Sequence, residues 1–120
     1  MSPSILIIDD DPSILETVAD ALADEGYTVR TASNGAEGIE AIDHGMPALV
    51  LLDMRMPVMD GWGFARALQE RGIRLPLLVM TAAQDAQRWS REVGAVGTIA
   101  KPFGLDDLLG AVERALAGRA

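Results

Sequence analysis

The sequence predicts a single α/β domain in which a mostly parallel sheet carries helices on both faces. Three observations support this. Short apolar runs rich in β-branched residues alternate with amphipathic stretches of helical spacing along all 120 residues. The first, third and fourth of these runs show no polar alternation, which means burial on both faces and hence a sheet sandwiched between helices. Capping residues, prolines and several glycines stand at the borders between the two kinds of segment. A chain of this length should hide roughly 65–70% of the surface its unfolded form exposes. No linker or repeat divides it, so residues 1–120 are expected to form one domain.

Taken in order, Ile5–Ile8 reads as the first strand. Asp11-Pro12 opens the first helix, Pro being tolerated in a first turn. Ile14, Leu15, Val18, Ala19 and Leu22 make its apolar face, and Gly26 closes it. Tyr27–Thr31 is the second strand. Ser33-Asn34 can cap the second helix, which Gly45 and Pro47 end. Ala48–Leu52, the longest strictly apolar run, is the third strand and far too short to span a membrane. Trp62 and Phe64 open the third helix as packing residues, and Gly72 follows it. Leu77–Met80 is the fourth strand, Gly94 follows the fourth helix, and Gly97–Ala100 is a weak fifth strand. Leu105, Leu108, Leu109, Val112 and Leu116 give the last helix its 3.6-residue period. Gly104 stands where a capping Asp or Ser is more ordinary, at a cost of about 1 kcal/mol.

Composition removes several classes of function. Cysteine is absent, which excludes disulfide scaffolds, thiol catalysis and Cys-based zinc sites. His44 is the one histidine, so no multi-His metal site can form; it reads as a solvated cation ending the second helix. The formal net charge of −8 repels phosphate backbones, so neither nucleic acid nor anionic membrane is an expected partner of this domain. Met1-Ser-Pro-Ser4 lacks the basic n-region of a signal peptide, and the expected location is cytoplasmic. Met54, Met56 and Met59 read as loop and core packing, and Gly61-Trp-Gly63 lacks the third glycine of a dinucleotide fingerprint.

The acids are more informative than their sum. In a doubly wound sheet, ligands bind outside the carboxyl ends of the strands. There the sequence places Asp9, Asp10 and Asp11 after the first strand, Asp53 after the third, Thr81 after the fourth and Lys101 after the fifth. Asp11 reads as a first-turn helix acid. Carboxylates gathered at the ends of buried strands repel each other unless a positive group sits between them. A hard divalent cation, Mg²⁺ first, meets that need with oxygen ligands alone. A carboxylate beside Mg²⁺ can act as a nucleophile toward phosphorus, with Lys101 and the Thr81 hydroxyl stabilising the phosphoryl oxygens. Asp53 is the best nucleophile candidate.

Ile5-Leu-Ile-Ile-Asp-Asp-Asp-Pro12, Leu51-Leu-Asp-Met-Arg-Met-Pro-Val-Met-Asp-Gly61, Met80-Thr-Ala82 and Lys101-Pro-Phe103 together resemble the CheY-like receiver domains of two-component response regulators. The resemblance covers essentially the whole chain, and its Asp-x-x-x-Pro-x-x-Asp-Gly element is the specific part. It implies a flavodoxin-like three-layer fold, five parallel strands in the order 2-1-3-4-5 with five helices. Asp53 is then the phosphoacceptor, Asp10 a direct Mg²⁺ ligand and Asp9 a ligand through water. Asp53 itself and the backbone carbonyl of Arg55 complete the protein's share of the metal shell. Thr81 is the switch hydroxyl that moves toward the phosphate, Lys101 the ion-pair partner of that phosphate, and Pro102 follows a cis peptide bond. The resemblance further implies phosphorylation by a histidine kinase or a phosphotransfer protein. It implies a signalling switch and not a turnover enzyme. A homodimer or effector contact is implied through the fourth helix, fifth strand and fifth helix.

Two departures bear on output. Thr98 stands where the family usually carries an aromatic ring that reports phosphorylation by its rotamer. The segment from Thr81 to Gly94 is about two residues short, which predicts a short or irregular fourth helix after a pliable loop from Ala82. That stretch, with Trp89 as a candidate partner contact, is therefore expected to reorganise on phosphorylation while Thr98 stays still. A scaffold receiver that signals by binding alone is the next reading, and the intact acidic set argues against it. An aspartate-nucleophile phosphohydrolase usually carries a second acid two residues past the nucleophile, where this chain has Arg55. A flavin carrier would place its phosphate against the carboxylates.

Overall fold

A computed structural model describes residues 3–118. The elements run β1 (Ser4–Ile8), α1 (Pro12–Asp24), β2 (Thr28–Ala32), α2 (Gly35–Asp43), β3 (Leu49–Asp53), α3 (Gly61–Glu70), β4 (Leu77–Ala82), α4 (Ala83–Val93), β5 (Gly97–Lys101) and α5 (Leu105–Ala117). The five strands form one parallel sheet in the order β2-β1-β3-β4-β5, the order expected. The strands that read as unbroken apolar runs are its three central ones, and their side chains are buried on both faces. The edge strands are less buried: only Ala32 of β2 and Ile99 of β5 are buried, and β5, half-buried elsewhere, is the one that reads weakly. The ends of the chain, Met1, Ser2, Arg119 and Ala120, lie outside the described residues. So do parts of the expectations that rest on Met1-Ser-Pro-Ser4 and on a domain running from 1 to 120.

Alternation along each strand sorts the core into two layers. Ile5 and Ile7, Leu49 and Leu51, and Leu78 and Met80 pack with Val18 and Leu22 of α1 and Leu108 and Val112 of α5. Leu6 and Ile8, Val50 and Leu52, and Val79 face Ile39 and Ile42 of α2, Phe64 and Leu68 of α3, and Trp89 of α4. Among the described residues no helix is long and apolar enough to cross a membrane.

Capping sets the start of three helices. Asp11 is the N-cap of α1 and accepts from Ser13 N–H at 2.9 Å, one position earlier than the first-turn role expected. Asn34 accepts from Glu37 N–H and Asp60 from Gly63 N–H in the same way. His44 is the C-cap of α2. Neither α4 nor α5 has a side-chain cap, Ala82 and Gly104 standing in those places.

The fourth helix corrects the sequence reading. It is regular and 11 residues long, longer than α2 or α3. β4 passes into it at Ala82–Ala83 with no intervening residue, so the shortfall in length is taken by the connection and no pliable loop exists there. Trp89 is 4% exposed and belongs to the core, which removes it as a direct partner contact.

Candidate functional site

Parallel register brings the chemistry to one edge. Ile8 pairs with Leu52 and Asp53 with Met80, so Asp9 just past β1, Asp53 at the end of β3 and Thr81 one position further along β4 gather at the carboxyl edge of the central strands. Ala82 pairs with Lys101, which sets the lysine at the same edge from β5. The switch in winding direction lies between β1 and β3, the place where doubly wound sheets bind ligands. The Lys101–Pro102 peptide bond is cis.

Asp9 is fully buried and both its oxygens are engaged. Oδ1 accepts from Asp11 N–H at 2.9 Å, and Oδ2 accepts from Lys101 Nζ at 2.8 Å. Lys101 Nζ also lies 3.4 Å from Asp53 Oδ1. Asp10 is exposed at the mouth. Thr81 is buried, with 6% of its surface open. Asp9 thus anchors the lysine between the two strand ends, a role invisible in the sequence because it depends on partners 92 residues apart.

Oxygens of Asp9, Asp10 and Asp53 all lie within 4.8 Å of one another. Three carboxylates face a single ammonium, so two negative charges lack a counterion. Only oxygen donors are present. That deficit and that donor set fit a divalent hard cation such as Mg²⁺, with Asp10 and Asp53 the carboxylates best placed to ligate. Asp11, committed to capping α1, stands outside the trio.

Burial pushes the Asp53 carboxyl up to about 6, and the negative charge of Asp9 adds to the shift while Lys101 opposes it. Burial lowers Lys101, but its bonds to Asp9 and Asp53 outweigh that and hold it above the ordinary lysine range. The Asp53 shift has a consequence for stability. Because the folded pKa lies above the unfolded one, protonation favours the fold; that contribution is whole below about pH 4 and is lost as pH rises through 6. At pH 8 and without metal, Asp53→Asn should therefore be more stable than the native chain by about 2–3 kcal/mol. The difference should vanish by pH 4. Thermal denaturation of both proteins across that range checks it, and a gap that persists at pH 4 would assign the gain to packing.

The loop from Met54 to Asp60 is built tightly. Gly61 N–H donates to the Met54 carbonyl at 2.9 Å, and a Cβ on Gly61 would come within 2.8 Å of the Met54 Cα. Only glycine permits that approach. Val58, 84% exposed, has φ of +70° inside a turn closed by Met59 N–H on the Pro57 carbonyl. A β-branched residue there carries strain of about 1–2 kcal/mol, the kind found beside functional sites. The Met59 carbonyl accepts from Gly35 N–H at 2.8 Å, which ties the loop to α2.

Beyond the loop lies a group the sequence did not reveal. The Arg55 guanidinium sits over the Trp89 ring at 5.0 Å, and Trp62 meets that ring edge-on at 4.9 Å. Trp62 Nε1 donates to Glu92 at 2.8 Å. Thr98, on β5 opposite Val79, is half-buried and has no ring to move.

Similarity to known proteins agrees with this geometry. The profile of the response regulator receiver domain matches residues 5–113. The DNA-binding transcriptional regulator NtrC of Escherichia coli K12 is 39% identical over 114 residues, covering 93% of this chain and 24% of NtrC. The response regulator MprA of Mycobacterium ulcerans is 38% identical over 111 residues, 91% of this chain and 48% of MprA. The chain therefore spans about a quarter of the first and about half of the second. Among solved structures, the chemotaxis protein CheY4 of Vibrio cholerae superposes with a TM-score of 0.87 at 30% identity, covering 97% of this chain and 100% of that one. The receiver domain of NtrX from Brucella abortus gives 0.85 at 33% identity, covering 94% and 98%. A match that runs from the first strand into the last helix places the chain in the family of response regulator receiver domains.

Proposed function

We propose that this receiver domain accepts a phosphoryl group on Asp53 from a histidine kinase or a phosphotransfer protein, and that the modification changes a partner-binding face. The observation that carries this reading is the carboxylate trio at the switch point of the sheet, two of whose members, Asp9 and Asp53, pair with one lysine. A carboxyl held at about 6 is largely ionised at neutral pH yet more basic than an ordinary aspartate, which suits a nucleophile. An Asp53 oxygen bonds to phosphorus as the donor's phosphorus–nitrogen bond breaks. The Lys101 ammonium, already 3.4 Å from that carboxylate, offsets the oxygen charge, and the Thr81 hydroxyl donates to a phosphoryl oxygen. Mg²⁺, held by Asp10, Asp53 and the Arg55 carbonyl with Asp9 acting through water, would supply the remaining positive charge.

The domain is read here as a cytoplasmic switch and not a metabolic enzyme. In a longer regulator of the NtrC or MprA kind, an attached effector would read the change. A net charge of −8 leaves any nucleic acid contact to that effector. The α4–β5–α5 face, with Val96 and Leu105 exposed, is the surface on which a second copy or an effector would sit.

Metal binding tests the site. Mg²⁺ at ten times its dissociation constant should stabilise the fold by about 1.4 kcal/mol. Asp10→Ala should lose that response, and beryllofluoride should add to the Mg²⁺ shift only in the native chain. A full Mg²⁺-dependent rise in melting temperature in Asp10→Ala contradicts the assignment.

A further inference from the structure

We infer that Arg55 is a positioning residue: its guanidinium, stacked on Trp89, couples cation binding at the acidic edge to the order of α4. The inference rests on the metal reading above and goes beyond it.

α4 packs against β4, β5 and α3 with few buried side chains. Its first turn has no side-chain cap for the N–H groups there. Of its 11 residues only Ala86 and Trp89 are buried, whereas α5, also uncapped, buries Leu108, Ala111, Val112 and Ala115. Trp89 is the one large side chain that α4 buries. That indole is enclosed by Trp62 at 4.9 Å, by Arg55 at 5.0 Å and, more distantly, by Arg88 at 5.9 Å. Trp62 and Arg88 belong to helices. Arg55 alone comes from the loop that follows the acceptor, two residues past Asp53.

The same residue thus faces two ways. Its carbonyl belongs to the proposed metal shell, and its side chain covers Trp89. A cation that fixes the carbonyl narrows the conformations of Arg55 and keeps the guanidinium over the ring. Linkage makes the effect reciprocal: whatever the stack gives α4 when metal binds, it gives the metal when α4 is ordered. This supplies a path from the site to α4 that needs no aromatic ring at position 98.

Amide hydrogen exchange with and without MgCl₂ tests the coupling, and the shift in melting temperature follows metal binding independently. In the native chain Mg²⁺ should slow exchange across Ala83–Val93. In Arg55→Gln, which keeps the carbonyl, Mg²⁺ should still bind but leave α4 exchange unchanged, with affinity about two- to fivefold weaker. Arg55→Lys, which restores a cation over the ring, should recover most of the α4 response. Removing a positive charge beside an acidic site should by electrostatics alone tighten Mg²⁺ binding, so the sign is diagnostic. Tighter binding in Arg55→Gln, or an α4 response as large as the native one, overturns the inference. Absence of any Mg²⁺ shift in the native chain would instead overturn the metal reading, and the coupling with it.

Discussion

Lys101→Met should cost the metal-free domain about 2–4 kcal/mol at neutral pH, on the order of 10 °C in melting temperature. The methionine keeps the length of the side chain and removes only the ammonium. What remains is Asp9, with 1% of its side chain exposed, and Asp53, with 9%, facing each other without a counter-charge. Breaking a buried pair in this way typically costs about 3–5 kcal/mol. The lower figure applies here because Lys101 is itself 24% exposed and water reaches its end of the pair. The pH dependence has a definite sign. Lys101 holds the Asp53 pKa down, so its loss drives that pKa further above 6. The defect should shrink as pH falls and Asp53 takes up a proton. Mg²⁺ should restore more stability to this variant than to the native chain, since it supplies the missing charge. A melting temperature within a degree or two of native at pH 8 would mean that the pair contributes nothing.

Much of this was legible in the sequence, and the rest was not for identifiable reasons. The central strands were plain because burial on both faces leaves little room for polar residues, as Leu49, Val50, Leu51 and Leu52 show before the site begins at Asp53. Each strand end was read within two residues, and Asp53, Thr81 and Lys101 proved to lie within the strands. Thr28–Ala32 was placed one residue early because Tyr27 carries an apolar ring next to an exposed edge strand. The fourth helix was misread because a deficit in length cannot be divided between helix and connection from sequence alone. The site residues were visible as types at strand ends, where their chemistry alone suggested Asp53 as nucleophile beside a metal. The family resemblance added the division of the metal shell and the switch role of Thr81. The Asp9–Lys101 bond and the Arg55–Trp89 stack were hidden, because each depends on tertiary packing between segments far apart in the chain.

On the proposed function, the acidic edge carries a phosphoryl group on one residue, Asp53. The energetic basis is that Asp53 is the one carboxylate of the trio that is buried, bears a raised pKa and touches the lysine without being anchored elsewhere. Asp9 is anchored by Asp11 N–H and Lys101, and Asp10 lies open to water. Asparagine at position 53 keeps the shape and loses the nucleophile, so the expected effect is complete loss and not a graded one. The direct measurement is intact mass after incubation with acetyl phosphate and MgCl₂, for the native chain and for Asp53→Asn. The native chain should gain one phosphoryl group, and lose that gain when EDTA removes the metal, while Asp53→Asn should stay at its starting mass. A phosphorylated Asp53→Asn protein, or a native chain that stays unmodified with Mg²⁺ bound, would contradict the account.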